Sequence, residues 1–338
     1  MAKPLEMRRL GKTGPTVAAL GLGCFAMSGS YGAADDAESI ATIQAACDAG
    51  VTMLDTGDFY GMGHNETLIG AAVKGRRDKV LIAVKFGAQR APDGQYIGFD
   101  GRPASVKNYL AYSLRRLGTD YIDLYQPSRV DPGVPIEDTI GAVADLIKAG
   151  YVRYAGLSEA SAATVRRAHA VHPIAALQIE YSPISRGVEA EILPCLRALG
   201  IGLVAYGVLS RGLLGGRIGA DTVFPAGDVR TRYPRFQPEN LKANLGHVDR
   251  LRSIAQELGA TPAQLAFAWT LAQGDDIVPL VGTRSRSHLL EALGALELKL
   301  GPDDLTRIER AIHPQAIAGT RYPTAQMDQL DSERKARG

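Results

Sequence analysis

Residues 21–29 read "GLGCFAMSG". An apolar run that ends in glycine and leads toward a helix fits two architectures. In a doubly wound sheet the turn carries Gly-x-Gly-x-x-Gly, because close backbone approach to a pyrophosphate and tight helix packing both need glycine. Here Gly21 and Gly23 are present and the closing glycine is not. The alternative is a closed barrel of parallel strands, and the surrounding chain decides for it.

Working outward, eight strand-like apolar runs alternate with helical patterns. The runs are "VAALGLG" (17–23), "TMLDTG" (52–57), "VLIAVKFG" (80–87), "YIDLYQ" (121–126), "VRYAGLS" (152–158), "ALQIEYS" (176–182), "GLVAYGV" (202–208) and "DIVPLVG" (276–282). Near-continuous apolar strands with helices between them indicate a parallel sheet covered on its outer face. Gly50, Gly118 and Gly150 stop the helical segments that begin near residues 35, 102 and 135, as the C-terminal preference for glycine predicts. Eight such units predict a (β/α)8 TIM barrel, with an N-terminal β-hairpin before it, extra C-terminal helices after it, and one domain over 1–338. The longest interval, about 210–275, holds a Gly-, Pro- and Arg-rich loop followed by two helical segments.

The chain has 338 residues, 46% of them hydrophobic, enough for a large core. With 38 basic against 36 acidic residues and no basic stripe, nothing suggests nucleic acid. Cys24, Cys47 and Cys195 are dispersed and odd in number, which fits reduced thiols of a cytoplasmic protein better than a disulfide framework. No clustered His or Cys suggests a catalytic metal. Arg8-Arg9 before a short apolar run superficially resembles an export signal, but the glycine-interrupted run reads better as a hairpin entering the first strand. No segment reaches the roughly 20 apolar residues that cross a bilayer.

In a parallel barrel, chemistry sits where strands end. Asp55 lies in one strand end, Tyr60 follows five residues later, and Lys85 closes the next strand. A cation closing an apolar strand needs an anion, and Asp55 is positioned to supply it. A nearby ammonium favours a phenolate, so Lys85 is expected to draw the Tyr60 phenol toward neutrality and suit it to proton donation. The plain reading, a structural ion pair beside a core aromatic, stays open on spacing alone.

The segments "RRLGKTGPTVAALGLG", "DTGDFYGMGHNETLIG", "VKFG", "SLRRLGTDYIDLYQ", "YVRYAGLSEAS", "LQIEYSPISR", "VAYGVLSRGLLGG", "TPAQLAFAW" and "IVPLVGTRSRSHLLEALGAL" together resemble the aldo-keto reductase superfamily in order and spacing. The resemblance covers nearly the whole chain. It implies a nicotinamide cofactor, NADPH in preference to NADH, and a small-molecule carbonyl substrate. It implies Tyr60 as general acid, Lys85 as its modulator and Asp55 as the group orienting Lys85. Where the family places a histidine at the fourth strand end, this chain has Ser128.

The resemblance also implies a cofactor site. Gly23 and Cys24 contribute to it, Ser158 and Gln178 bond the carboxamide, and Tyr206 stacks on the nicotinamide. Gly207, Val208, Leu209, Ser210 and Gly212 wrap the pyrophosphate. Gly282, Thr283, Arg284, His288 and Glu291 hold the adenosine phosphate at a helix N-terminus, with Arg286 as a helper. Ala292 stands where the family often has asparagine. Phe25 faces the substrate. His64 is expected at the start of a helix, His169 and His172 at the surface, and Trp269 in the core. Arginines of the 210–240 loop suggest acidic substrates. Serine is a shorter donor than histidine, so Ser128 changes how a carbonyl is held. The alternative to an enzyme is a cofactor-binding sensor or regulatory subunit, as the similar fold of potassium-channel beta subunits illustrates.

Overall fold

The computed structural model describes residues 4–334. Eight parallel strands close into a barrel: β1 (Gly21–Gly23), β2 (Met53–Gly57), β3 (Leu81–Phe86), β4 (Ile122–Pro127), β5 (Val152–Ser158), β6 (Ile174–Glu180), β7 (Gly202–Tyr206) and β8 (Ile277–Gly282). Each neighbours the next in chain order, and β8 closes on β1.

Helices α1 (Asp36–Asp48), α2 (His64–Ala72), α3 (Pro103–Leu117), α4 (Ile136–Lys148), α5 (Ala162–Val171) and α6 (Ile192–Leu199) each follow the strand of the same number. After β7 the chain makes two, α7 (Pro238–Glu257) and α8 (Pro262–Ala272), before β8, α9 (Arg286–Leu293) and α10 (Pro302–Ala311). Local chemistry fixes several ends. The Asp35 side chain caps α1, Thr261 and Gln264 form a capping box on α8, and Gly118 ends α3 at φ 63.

Two apolar layers hold the barrel. The larger lies between strands and helices and includes Leu22, Leu54, Ile82, Val84, Tyr125, Leu157 and Trp269. The smaller fills the barrel itself with Met53, Leu81, Ala83, Leu124, Ala176, Val204, Val278 and Leu280. Strand side chains alternate, so two residues beyond an inward apolar group comes another inward position nearer the mouth. Met53 leads to Asp55, Ala83 to Lys85, Leu124 to Gln126 and then Ser128, and Ala176 to Gln178.

The expected strand over 17–23 is in fact two. Thr16–Ala18 pairs antiparallel with Met7–Arg9, and only Gly21–Gly23 joins the barrel. The hairpin plugs the barrel floor, where Leu10 and Val17 join the inner layer. Arg8 is buried there and donates to the carbonyls of Leu271, Gly274 and Ile277. A second hairpin, Ala88–Arg90 with Tyr96–Phe99, follows β3 and was not foreseen. Among the described residues, no helix is long and apolar enough to cross a membrane.

Candidate active site

Asp55 and Lys85 are inward residues of the adjacent strands β2 and β3, and each is 4% exposed. Lys85 Nζ lies 2.7 Å from both oxygens of Asp55. Gln178, inward from β6, donates to Asp55 Oδ2 at 2.7 Å and takes a longer bond from Gln126 at 3.4 Å. The carboxylate thus receives three charge-assisted or neutral bonds, as a buried ion requires. Burial pushes the Lys85 ammonium down from its usual value, and Asp55 opposes that.

Tyr60 begins a short turn after β2 in which Gly61 and Met62 both take left-handed backbone (φ 55 and 53). Met62 in that region is strained, and such strain persists only where the surroundings impose it. The turn sets the Tyr60 ring 5.0 Å from Lys85 Nζ and edge-on to Phe25 and Phe59 at 4.8 and 4.9 Å. Phe25 in turn meets Tyr31 at 5.8 Å.

Lys85 is expected to draw the phenol toward neutrality, and burial works in the opposite direction. Burial pushes Tyr60 well above the ordinary phenol value, Asp55 adds to the rise, and Arg129 opposes it. Lys85, 5.0 Å from the ring, is itself in direct contact with the Asp55 carboxylate, which limits its pull on the phenol. Tyr60 is therefore fully protonated at neutral pH.

Ser128 continues the inward row of β4 and is 1% exposed. Its N–H donates to the Phe86 carbonyl, and its Oγ has no hydrogen-bond partner. The neighbouring Arg129 is half-buried; it donates to the Ser128 carbonyl at 2.6 Å and to the Tyr322 hydroxyl at 3.4 Å.

Around these groups lie the residues expected to hold a cofactor. Gly23 sits between Gly282 and Asp55 in register. Cys24 is fully buried, its N–H on the Asp55 carbonyl, and burial pushes its thiol up. Ser158 ends β5, buried. The Tyr206 hydroxyl is fixed between Glu159 at 2.7 Å and Tyr322 at 2.8 Å. From Gly207 to Gly212 the loop winds through left-handed backbone at Gly207, Ser210, Arg211 and Gly212 (φ 68, 44, 57 and 95). Val208 and Leu209 anchor it against the apolar layer. Within it the Ser210 and Gly212 N–H groups donate to the carbonyls of Gly207 and Leu209.

At the N-terminus of α9 the groups are brought together but engaged. Thr283 is buried, and Arg284 donates to the carbonyls of Gly32 and Tyr31. Arg286 pairs with Glu38, which also accepts the Arg286 backbone N–H, while His288 and Glu291 both contact Arg217. His64 bonds Ser28 and Asp36, His169 accepts from Ile174 N–H, and Trp269 is fully buried.

Of the loop arginines expected to await an acidic substrate, Arg232 is exposed and three others are matched internally. Arg230 pairs with Asp228 at 2.6 Å, Arg235 with Glu180 at 3.2 Å, and Arg211 with Glu180 at 3.3 Å. Sequence reasoning missed a further group, the tail residues Arg321 and Tyr322. Arg321 forks onto Glu159 at 2.6 and 2.8 Å and reaches Glu333 at 2.7 Å. Burial works to raise the Glu159 carboxyl, and Arg321 overrides it, holding it well below the usual range. Nothing in the local sequence signals these contacts, which span some 160 residues. Among the described residues no cluster of three or more His, Cys, Asp or Glu forms a metal site.

The residues thus form one polar mouth above an apolar barrel, and comparison with known proteins places it. The model of the Aldo/keto reductase family matches residues 19–313. "Probable aldo-keto reductase 1" of Glycine max is 44% identical over 318 residues, covering 93% of this chain and 91% of that protein. A glycerol dehydrogenase from Gluconobacter oxydans superposes with a TM-score of 0.82 at 29% identity, covering 91% of this chain and 96% of that one. An aldo-keto reductase from Bacillus halodurans, in its holo form, gives 0.75 at 27% identity over 92% and 97% of the two chains. With the barrel, its polar mouth and these likenesses together, the chain belongs to the aldo-keto reductase family.

Proposed function

We propose that the protein is an NADPH-dependent oxidoreductase that interconverts aldehydes or ketones and alcohols, with Tyr60 as the general acid. Membership of the family supports nicotinamide-dependent carbonyl chemistry in general. The observation that carries the finer reading is the buried Asp55–Lys85–Gln178 network with the Tyr60 ring 5.0 Å from Lys85 Nζ.

When bound, the cofactor supplies the hydride that reduces the carbonyl carbon. Tyr60 gives its hydroxyl proton to the carbonyl oxygen as negative charge develops there. The phenolate left behind is offset by Lys85 and by the Arg129 charge, and it regains its proton from solvent. Asp55 and Gln178 keep Lys85 charged and oriented through the cycle, since a lone ammonium in that layer would lose its proton. Ser128 Oγ is a spare donor at the same mouth, able to serve the oxygen directly or through one water.

For the cofactor, Ser158 fits the carboxamide and the ring of Tyr206 is braced at its hydroxyl. In the loop 207–212 the N–H groups of Val208, Leu209 and Arg211 remain for the pyrophosphate. Arg284, Arg286 and His288 supply cationic chemistry near α9 for a 2′-phosphate. The residues fit the group, although Gln178 is shared with Asp55.

Tyr60→Phe tests the reading. Cofactor oxidation across a panel of aldehydes and ketones should fall by about 10²–10⁴-fold, while fluorescence titration still detects NADPH binding. Full turnover in this variant would sink the assignment. Tight NADPH binding by the native protein with no turnover on any carbonyl would favour a sensor.

A further inference from the structure

We propose that the carbonyl substrate carries an anionic group, a carboxylate in the simplest case, and that Arg129 is the residue that grips it. This rests on the reading of the site as a carbonyl reductase and goes further by naming the substrate class.

The inference starts from an imbalance of charge. Arg211, Arg230, Arg235 and Arg321 surround the mouth, and each has a carboxylate within 3.3 Å. Arg129 is also drawn into the mouth, yet among the described residues no carboxylate lies within 4.0 Å of its guanidinium. Its firm bond is to the carbonyl of Ser128 next to it in the chain. The other, to the Tyr322 hydroxyl at 3.4 Å, is long, and the Tyr322 ring lies 5.8 Å away. A guanidinium has five N–H donors in a planar fork. These two bonds leave most of that fork without a protein partner, in a half-buried side chain whose charge is favoured by Glu159 only from beyond contact distance.

Position makes the imbalance meaningful. Arg129 follows Pro127 and Ser128, and Pro127 is level with Phe86, immediately beyond Lys85. One residue beyond Ser128, it lies at the same end of the barrel as Lys85 and the proton donor, on the side formed by β4. The pyrophosphate loop 207–212 and the α9 region belong to β7 and β8, on other strands of the ring. A cofactor seated along those strands has its own cations, which leaves Arg129 for the second reactant. Ser128 Oγ, buried and without a partner, lies next to it. A compact substrate can thus present its carbonyl oxygen to Tyr60 and Ser128 and its carboxylate to Arg129. The surrounding rings of Phe25, Tyr31 and Tyr60 pack its apolar part.

The test compares 4-carboxybenzaldehyde with benzaldehyde, which share the reacting group and differ in charge. The native enzyme with NADPH should favour the carboxylated aldehyde in kcat/KM by on the order of tenfold to a hundredfold, as a charge-assisted bidentate contact provides. In Arg129→Met this ratio should fall to near one, mainly through KM, and Arg129→Lys should recover part of it. A native ratio near one overturns the proposal. So does a ratio that Arg129→Met leaves intact, since the residue is then only structural. A loss of NADPH affinity in the variant, with the ratio preserved, assigns the cation to the cofactor instead. Binding of benzoate and of benzyl alcohol to the NADP-loaded protein, measured calorimetrically, separates this from failure of the reductase reading. If no aldehyde turns over, the reductase reading fails, and a benzoate preference lost in Arg129→Met still upholds the anion site. Equal binding of the two overturns it.

Discussion

Ser128 is buried, inward-facing and bonded only through its backbone. An unsatisfied buried hydroxyl costs about 1–3 kcal/mol, a cost that a ligand oxygen or a bridging water can offset. Replacing Ser128 with histidine fills that space with a longer donor. Turnover on small aldehydes should change, rising by as much as about 10²-fold if the oxyanion gains a direct bond, and NADPH affinity should hold. If neither turnover nor substrate range moves, Ser128 lies outside the chemistry. At this scale Asp55, Tyr60 and Lys85 were legible because a charged or phenolic side chain closing an apolar strand is conspicuous. Arg129 was not. A loop arginine reads as solvated, and only the three-dimensional pairing of its four neighbours singles it out.

Among the elements, the α1–α9 contact bears on the proposed phosphate site. Glu38 lies in the first turn of α1, yet its carboxylate crosses to the first turn of α9, accepting both the backbone N–H and the side chain of Arg286. A helix N-terminus favours one anion, and here a resident carboxylate competes with a 2′-phosphate. Glu38→Gln should tighten NADPH relative to NADH by roughly two- to fivefold, the worth of one charge at a helix end. Parallel fluorescence titrations read this directly, and an unchanged ratio would show that Glu38 moves aside at no cost. The barrel strands were legible from their apolar runs and the helices from their glycine stops. The split at residues 18–21 was hidden, because hairpin and barrel strands are equally apolar there and only pairing partners distinguish them. The Ala88–Phe99 hairpin was missed because its strands are short and contribute to neither apolar layer.

Across the whole molecule, the barrel is stopped at one end by the N-terminal hairpin and roofed at the other by the tail. Residues 321–333 lie against the ends of β5 and β7. Arg321 neutralises Glu159, Asp331 accepts from the Ser161 N–H, and Ser332 bonds the Glu159 carbonyl. Glu159 is held in left-handed backbone (φ 52) immediately after Ser158. Arg321→Met leaves this buried carboxylate short of its main cation, so the protein should lose about 3–5 kcal/mol of stability, read from denaturant unfolding. An unaltered midpoint would mean that solvent or Arg129 replaces the lost charge.

The family match ends at residue 313, whereas this roof is built from residues after it. The proton donor and its ion pair lie within the matched range, and Tyr322, the ring against Arg129 and Tyr206, lies beyond it. The tail is therefore a second place at which the pocket is shaped. Exchanged for another that carries a cation for Glu159, it would redraw the outline of the pocket while leaving the reaction beneath it untouched.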